Sequence, residues 1–219
     1  MEFIRMLTKP VHVALGVVIL LTGLAQLLMR KGGSRHRAIG RVYCVAMLFS
    51  VLTSFPSIIQ DSQVFLAVIG LFSLYLSFTG YRFAEMRETG QPGIMDRTAA
   101  LIFLACALGM AGFTIRLFTS ANLVGGVILS VFTLIFLSGT WTDVRHLLLK
   151  RSAGDLLSGG RWLRLHIGRI LGSYIAAVTA FLVNVQPFGS TLLNWLLPTA
   201  VGTCLAVYYG RRYAPGRSG

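Results

Sequence analysis

The chain has 219 residues, 55% of them hydrophobic and only 12% charged, with a mean hydropathy of +0.73. Soluble domains carry roughly 25% charged residues, so this composition excludes an ordinary soluble fold and makes lipid the solvent for most of the chain. A net charge of +13 would suggest nucleic acid in a soluble protein; here the basic residues lie between long apolar runs, which points to anionic lipid headgroups and away from nucleic acid.

A spanning helix needs about 20 mostly apolar residues. Seven such segments are expected, at about 11–29, 38–59, 63–83, 98–117, 122–142, 167–186 and 190–210. They do not alternate as barrel strands would, and in lipid only helices or closed barrels satisfy the backbone. The fold class is therefore an all-α integral membrane bundle, one seven-helix domain over 1–219, with no connection long enough for a separate domain. The opening MEFIRMLTKP does not read as a signal peptide, because the first apolar run is long enough to span and lacks a small-residue cleavage site.

Span 1 carries His12 at its start, then Gly16 and Gly23. Span 2 follows SRHRAIGRVY, with His36, Arg41 and Tyr43. Span 3 holds a polar stripe in FSLYLSFTGYR, where Tyr75, Thr79 and Arg82 share a helix face as interhelical glue or as a ligand-facing surface. Ala105 with Gly109 in span 4, and Gly125 with Gly126 in span 5, are candidates for close helix approach. Span 5 runs out through WTDVRH, placing Asp143 one turn before His146. Span 6 opens HIGRILGSY, with His166 and Tyr174, and span 7 carries Pro198, which should kink it. Cys44, Cys106 and Cys204 read as small hydrophobes in packed helices.

Arginine and lysine set the orientation. Seventeen of the 20 fall at one side of the spans: Arg30 to Arg41, then Arg82, Arg87 and Arg97, then Arg145 to Arg169, then Arg211, Arg212 and Arg217. Arg5, Lys9 and Arg116 fall at the other, and the turn at Gln60-Asp61-Ser62 has none. The N-terminus is expected outside and the C-terminus in the cytoplasm. Trp141 and Trp162 lie near the inner interface, where amphipathic aromatics belong.

His36, His146 and His166 begin or end their spans at the same basic side. With Asp143 they could converge on a zinc-like ion, since three nitrogens and an oxygen suit zinc and an open position would activate water. Alternatively, His36 and His166 could be axial ligands of a haem b, with arginines meeting its propionates. A third reading leaves them solvated or bound to lipid phosphate. No HExxH, GxSxG, P-loop or GxGxxG occurs, so no enzyme class is indicated. HRAIGRVY and HIGRILGSY also suggest that spans 1–3 and 5–7 are parallel three-helix repeats joined by span 4, as in some transporters.

HVALGVVILLTGLAQLL, HRAIGRVYCVAMLFS, FSLYLSFTGYR, HIGRILGSYIAAVTAFLVN and WLLPTAVGT together resemble an uncharacterised bacterial membrane family, domain of unknown function 2306. The likeness covers spans 1–3 and 6–7, and span 5 matches least. It implies a multi-pass protein of the bacterial cytoplasmic membrane, with His12, His36, Arg41, Tyr43, His166 and Tyr174 as characteristic polar positions; it implies no activity. The expected function is a polar, histidine-containing site at the cytoplasmic face for a metal, a haem or a small anionic ligand. Its ligand-binding candidates are His12, His36, Arg41, Tyr43, Tyr75, Arg82, His166 and Tyr174, and its metal candidates His36, Asp143, His146 and His166. The alternatives are a small-solute transporter or a subunit that binds lipid, a membrane partner or a second copy of itself.

Overall fold

The computed structural model describes residues 2–61, 64–89, 92–149 and 160–213. Within them lie seven helices and no strand: α1 (Glu2–Leu28), α2 (Ser34–Asp61), α3 (Val64–Thr89), α4 (Ile94–Thr119), α5 (Leu123–Val144), α6 (Arg161–Val185) and α7 (Thr191–Tyr213). A π-helical turn, Arg145–Leu149, continues α5. All seven are long and apolar enough to cross a membrane, and the chain is a multi-pass membrane protein. Each span coincides with the expected one. Several helices run further at the basic end, α2 starting at Ser34 and α6 at Arg161, because arginine is a good helix former and its long stem lets the head reach the interface. Lys150, Arg151, Arg217 and Ser62 lie outside the described residues.

The antiparallel pair α3–α6 forms the centre. The α1–α2 hairpin packs on one side of it, and α7 lies along α6. The α4–α5 hairpin meets α3 and α7 through a buried aromatic cluster of Phe72, Tyr75, Phe103, Phe132, Phe136 and Trp195. The Phe72–Phe132 rings are edge-on at 5.7 Å and the Tyr75–Phe136 rings tilted at 4.8 Å, favourable aromatic geometries. A 3+1+3 repeat would make α5–α6 the counterpart of α1–α2, but the main neighbour of α5 is α4, so the packing does not follow that division.

Where backbones come close, glycine makes the space. A Cβ on Gly80 would stand 2.9 Å from Arg169 Cβ and 2.9 Å from Ile170 Cγ1, and one on Gly202 would stand 2.1 Å from Ile175 Cδ1. Gly23 receives the Tyr174 ring flat on its surface, 2.1 Å from the position a Cβ would take, while the Tyr174 hydroxyl donates to the Leu20 carbonyl at 3.2 Å. Gly16 and Gly109 face open space, and Ala105 is exposed. The packing face of α4 is instead Ala100, Phe103, Ala107, Met110 and Thr114. Helical spacing put Ala105 and Gly109 on one face but could not say which face meets protein and which meets lipid. Gly126 does pack closely, against Phe118 of its own hairpin, whereas the near neighbour of Gly125 is the capping residue Asn122. Helix α7 continues through Pro198.

At the basic end, Lys31 Nζ donates to the last carbonyls of α1, at Gln26 and at Leu27 (2.8 Å), and lies 5.5 Å from the Tyr209 ring centroid. Partial burial pushes this amine below the usual lysine range.

Gly23→Ala should destabilise the protein by about 1–3 kcal/mol, the usual cost of overpacking, while Gly16→Ala should be neutral or slightly stabilising. Thermal unfolding of both variants in one detergent checks this; equal shifts would refute the α1–α6 packing.

Candidate functional site

Two of the buried charged residues come from the α5 and α6 segments and meet inside the bundle. Asp143 is at the basic end of α5, and Arg169 is eight residues into α6, about 12 Å along the helix from Arg161. Both are buried, at 1% and 6% exposure, in segments that cross the membrane. They meet as a two-pronged pair: Arg169 Nη2 donates to Asp143 Oδ1 at 2.8 Å and Nη1 to Oδ2 at 3.0 Å. Nη1 also donates to Thr79 Oγ1 at 2.8 Å, and Nη2 to the Gly139 carbonyl at 3.1 Å. The Tyr75 hydroxyl donates to Asp143 Oδ2 at 2.7 Å. The guanidinium lies 4.7 Å from the Tyr75 ring centroid and 5.6 Å from that of Phe83, within cation–π range. Gly139 is needed here, because a Cβ would stand 2.8 Å from the Tyr75 hydroxyl.

The polar stripe of α3 therefore divides. Tyr75 and Thr79 serve the buried pair. Arg82, one turn nearer the basic end, pairs with Asp96 of α4 through Nε (2.6 Å) and Nη2 (2.7 Å), and with Glu85. Asp96 is itself buried and accepts the Gly93 N–H at the start of α4 (2.8 Å). Between the two ion pairs lies a cavity of about 10 Å³, bordered by Thr79, Arg82, Asp96 and Asp143. That volume holds about one water.

The histidines occupy different parts of the fold. His166 stands one turn before Arg169, and its Nδ1 donates to the Gly80 carbonyl at 2.8 Å, a contact that the bare Gly80 surface allows. This leaves Nε2 as the acceptor nitrogen. Tyr43 Oη and Ser173 Oγ are 2.7 Å apart on α2 and α6, which run in the same direction. His36 and His166 each precede that bridge by seven residues, two turns, so both lie at one level of the bundle. The His36 carbonyl accepts from Gln26 Nε2 (2.8 Å), while its Nδ1 is buried without a hydrogen-bond partner in the described structure. His12 Nδ1 donates to the Ser50 carbonyl at 2.8 Å, tying α1 to α2. Arg41 is exposed at the surface of α2.

The four-residue metal set does not assemble. Among the described residues no three His, Cys, Asp or Glu side chains are placed to hold one ion. The physical reason is topological: α5 carries His146 on the α4 side of the central pair, while α2 carries His36 on the α1 side. Both oxygens of Asp143 are engaged by Arg169.

Reading the sequence alone counted Arg169 only toward orientation and missed Gly80, Asp96, Gly139 and Ser173. A partial signal was present, since Asp143 is the only acid between Leu123 and Val144; Arg169, at the start of the apolar run expected at 167–186, carried none. Comparison with protein-family models, curated proteins and solved structures finds no match.

Asp143→Ala should cost about 3–5 kcal/mol by leaving the Arg169 charge buried alone. The double variant Asp143→Leu/Arg169→Met should regain most of that loss. Tyr75→Phe should cost about 1.5–3 kcal/mol, as expected for a bond to a charged group. Denaturant unfolding of the set checks all three, and single variants no worse than a surface change would refute the pairing.

Proposed function

We propose that this chain is a membrane protein that binds a small anionic solute at a polar site in the cytoplasmic half of its bundle, built around Asp143, Arg169, Tyr75 and Thr79. The observation that carries the reading is the buried Asp143–Arg169 pair inside spanning segments. Burying an ion pair is costly, and well-packed apolar residues often stabilise as well or better; ionisable residues at such depth mark functional sites by default. The cavity beside Asp143 and the excess of basic residues at that end support a solute arriving from the arginine-rich side. That side is cytoplasmic by the distribution of arginine and lysine. The likeness to domain of unknown function 2306 supports a bacterial cytoplasmic membrane.

A second reading, a haem between α2 and α6, is favoured by one observation: His166 donates through Nδ1 to a backbone carbonyl, the contact that fixes a metal-ligating imidazole and leaves Nε2 for the metal. Haem absorbance in protein purified under mild conditions, lost in His36→Ala and in His166→Ala, would establish it; a colourless protein that takes up no added haemin would exclude it.

The solute reading is tested by thermal unfolding of the purified chain with chloride, formate, nitrate, bicarbonate and phosphate. At least one should raise the Tm of the wild type and leave Arg169→Gln unmoved. If none does, the reading fails. Orientation is tested in cells with Cys44, Cys106 and Cys204 replaced by alanine: an impermeant maleimide should label Ser190→Cys and spare Arg37→Cys, and the reverse pattern would invert the topology.

A further inference from the structure

The solute-binding reading leaves open how a fully paired arginine can accept an anion. We propose that Arg169 exchanges partners: one small monovalent anion enters with one proton, the proton binds Asp143, and the anion takes the guanidinium edge that Asp143 gives up. This rests on the solute reading and specifies its ligand class and coupling.

Charge dictates the stoichiometry. A positive guanidinium in a low-dielectric bundle needs one negative partner at all times, and the carboxylate paired with it is that of Asp143. Protonating Asp143 forms one O–H bond and neutralises the carboxylate. The two guanidinium N–H bonds to it are then free to donate to the anion, and the net charge inside the bundle is unchanged. A divalent anion would leave one negative charge uncompensated.

The geometry fits each part. Asp143 touches Arg169 on one side and borders the cavity on the other, so a proton can reach it without crossing the guanidinium. The cavity is bordered on its other side by Arg82 and Asp96, whose ion pair lies nearer the basic end. When Asp143 moves, Arg169 keeps its contacts to Thr79 and the Gly139 carbonyl, and the Tyr75 hydroxyl loses its acceptor and becomes a donor for the anion. The π turn begins two residues after Asp143; such irregular turns are frequent at functional sites. The groups facing Asp143 are Tyr75 on α3 and Arg169 on α6 in direct contact and, across the cavity, Arg82 on α3 and Asp96 on α4, with His146 one turn further along its own element. The space beside Asp143 is that of about one water, so the anion that takes the place of its carboxylate is no larger than that carboxylate, a halide or formate, which excludes a nucleotide or sugar phosphate.

The test is calorimetric titration of the purified full chain with formate and with chloride at several pH values, in two buffers of different ionisation enthalpy. The wild type should take up one proton per anion, and its affinity should fall about tenfold for each unit by which the pH is raised. Asp143→Asn, which mimics the protonated acid, should bind without proton uptake and with a flat pH profile. Arg169→Gln should bind neither probe. Anion binding by the wild type without proton uptake would overturn the exchange and leave the solute reading standing, as would an Asp143→Asn variant that keeps the pH slope. If neither probe binds at any pH, the exchange is overturned outright. Should Asp143→Asn fail to fold, the proton count on the wild type decides alone.

Discussion

One ion pair in a medium that does not tolerate charge organises the core of this protein. Arg169 is buried at its place in α6, so its charge must be met largely by protein. Asp143, Thr79 and the Gly139 carbonyl meet it, and Tyr75 shares the carboxylate. These partners come from α3 and α5, so with Arg169 on α6 the contact joins three helices. The pair therefore fixes the rotation of all three about their axes, which apolar packing alone would leave loose, because lipid competes with protein for every leucine.

The rest of the bundle is shaped so that this contact is within reach. Gly80 lets α6 approach α3 until His166 meets a backbone carbonyl and Arg169 reaches Thr79. Gly139 makes room for the Tyr75 hydroxyl. On the far side of α3, where α4 and α5 stand further off, Phe72, Phe103, Phe132 and Phe136 fill the gap. Small residues and aromatics thus divide the work by distance. The small ones serve where a hydrogen bond must close between helices, and the aromatics serve where only volume is needed.

Much of the fold was legible in the sequence because its signal is additive. Twenty apolar residues in a row declare a spanning helix whatever their order, and Tyr75, Thr79 and Arg82 fall on one face by spacing alone. The centre of the site was less legible because it depends on which helices are neighbours. Asp143 and Arg169 lie 26 positions apart in different spans, and nothing local says that they meet. The same ignorance of neighbours grouped His146 with His36 and His166, which share its depth but not its side of the bundle, and it turned Ala105 and Gly109 inward when they face out. Gly80 was quoted within the α3 stripe, yet its purpose becomes visible only when α6 is placed against it.

The account stands on Asp143 being ionised and paired with Arg169 when no solute is bound. Infrared spectroscopy of the protein carrying ¹³C-labelled aspartate, with Asp143→Asn subtracted, measures this directly. At neutral pH and without added anion, the difference should contain carboxylate stretching bands and no carboxylic acid carbonyl band. A carboxylic acid carbonyl band in its place would mean that Asp143 is neutral in the resting protein, and the charge balance argued here would be wrong.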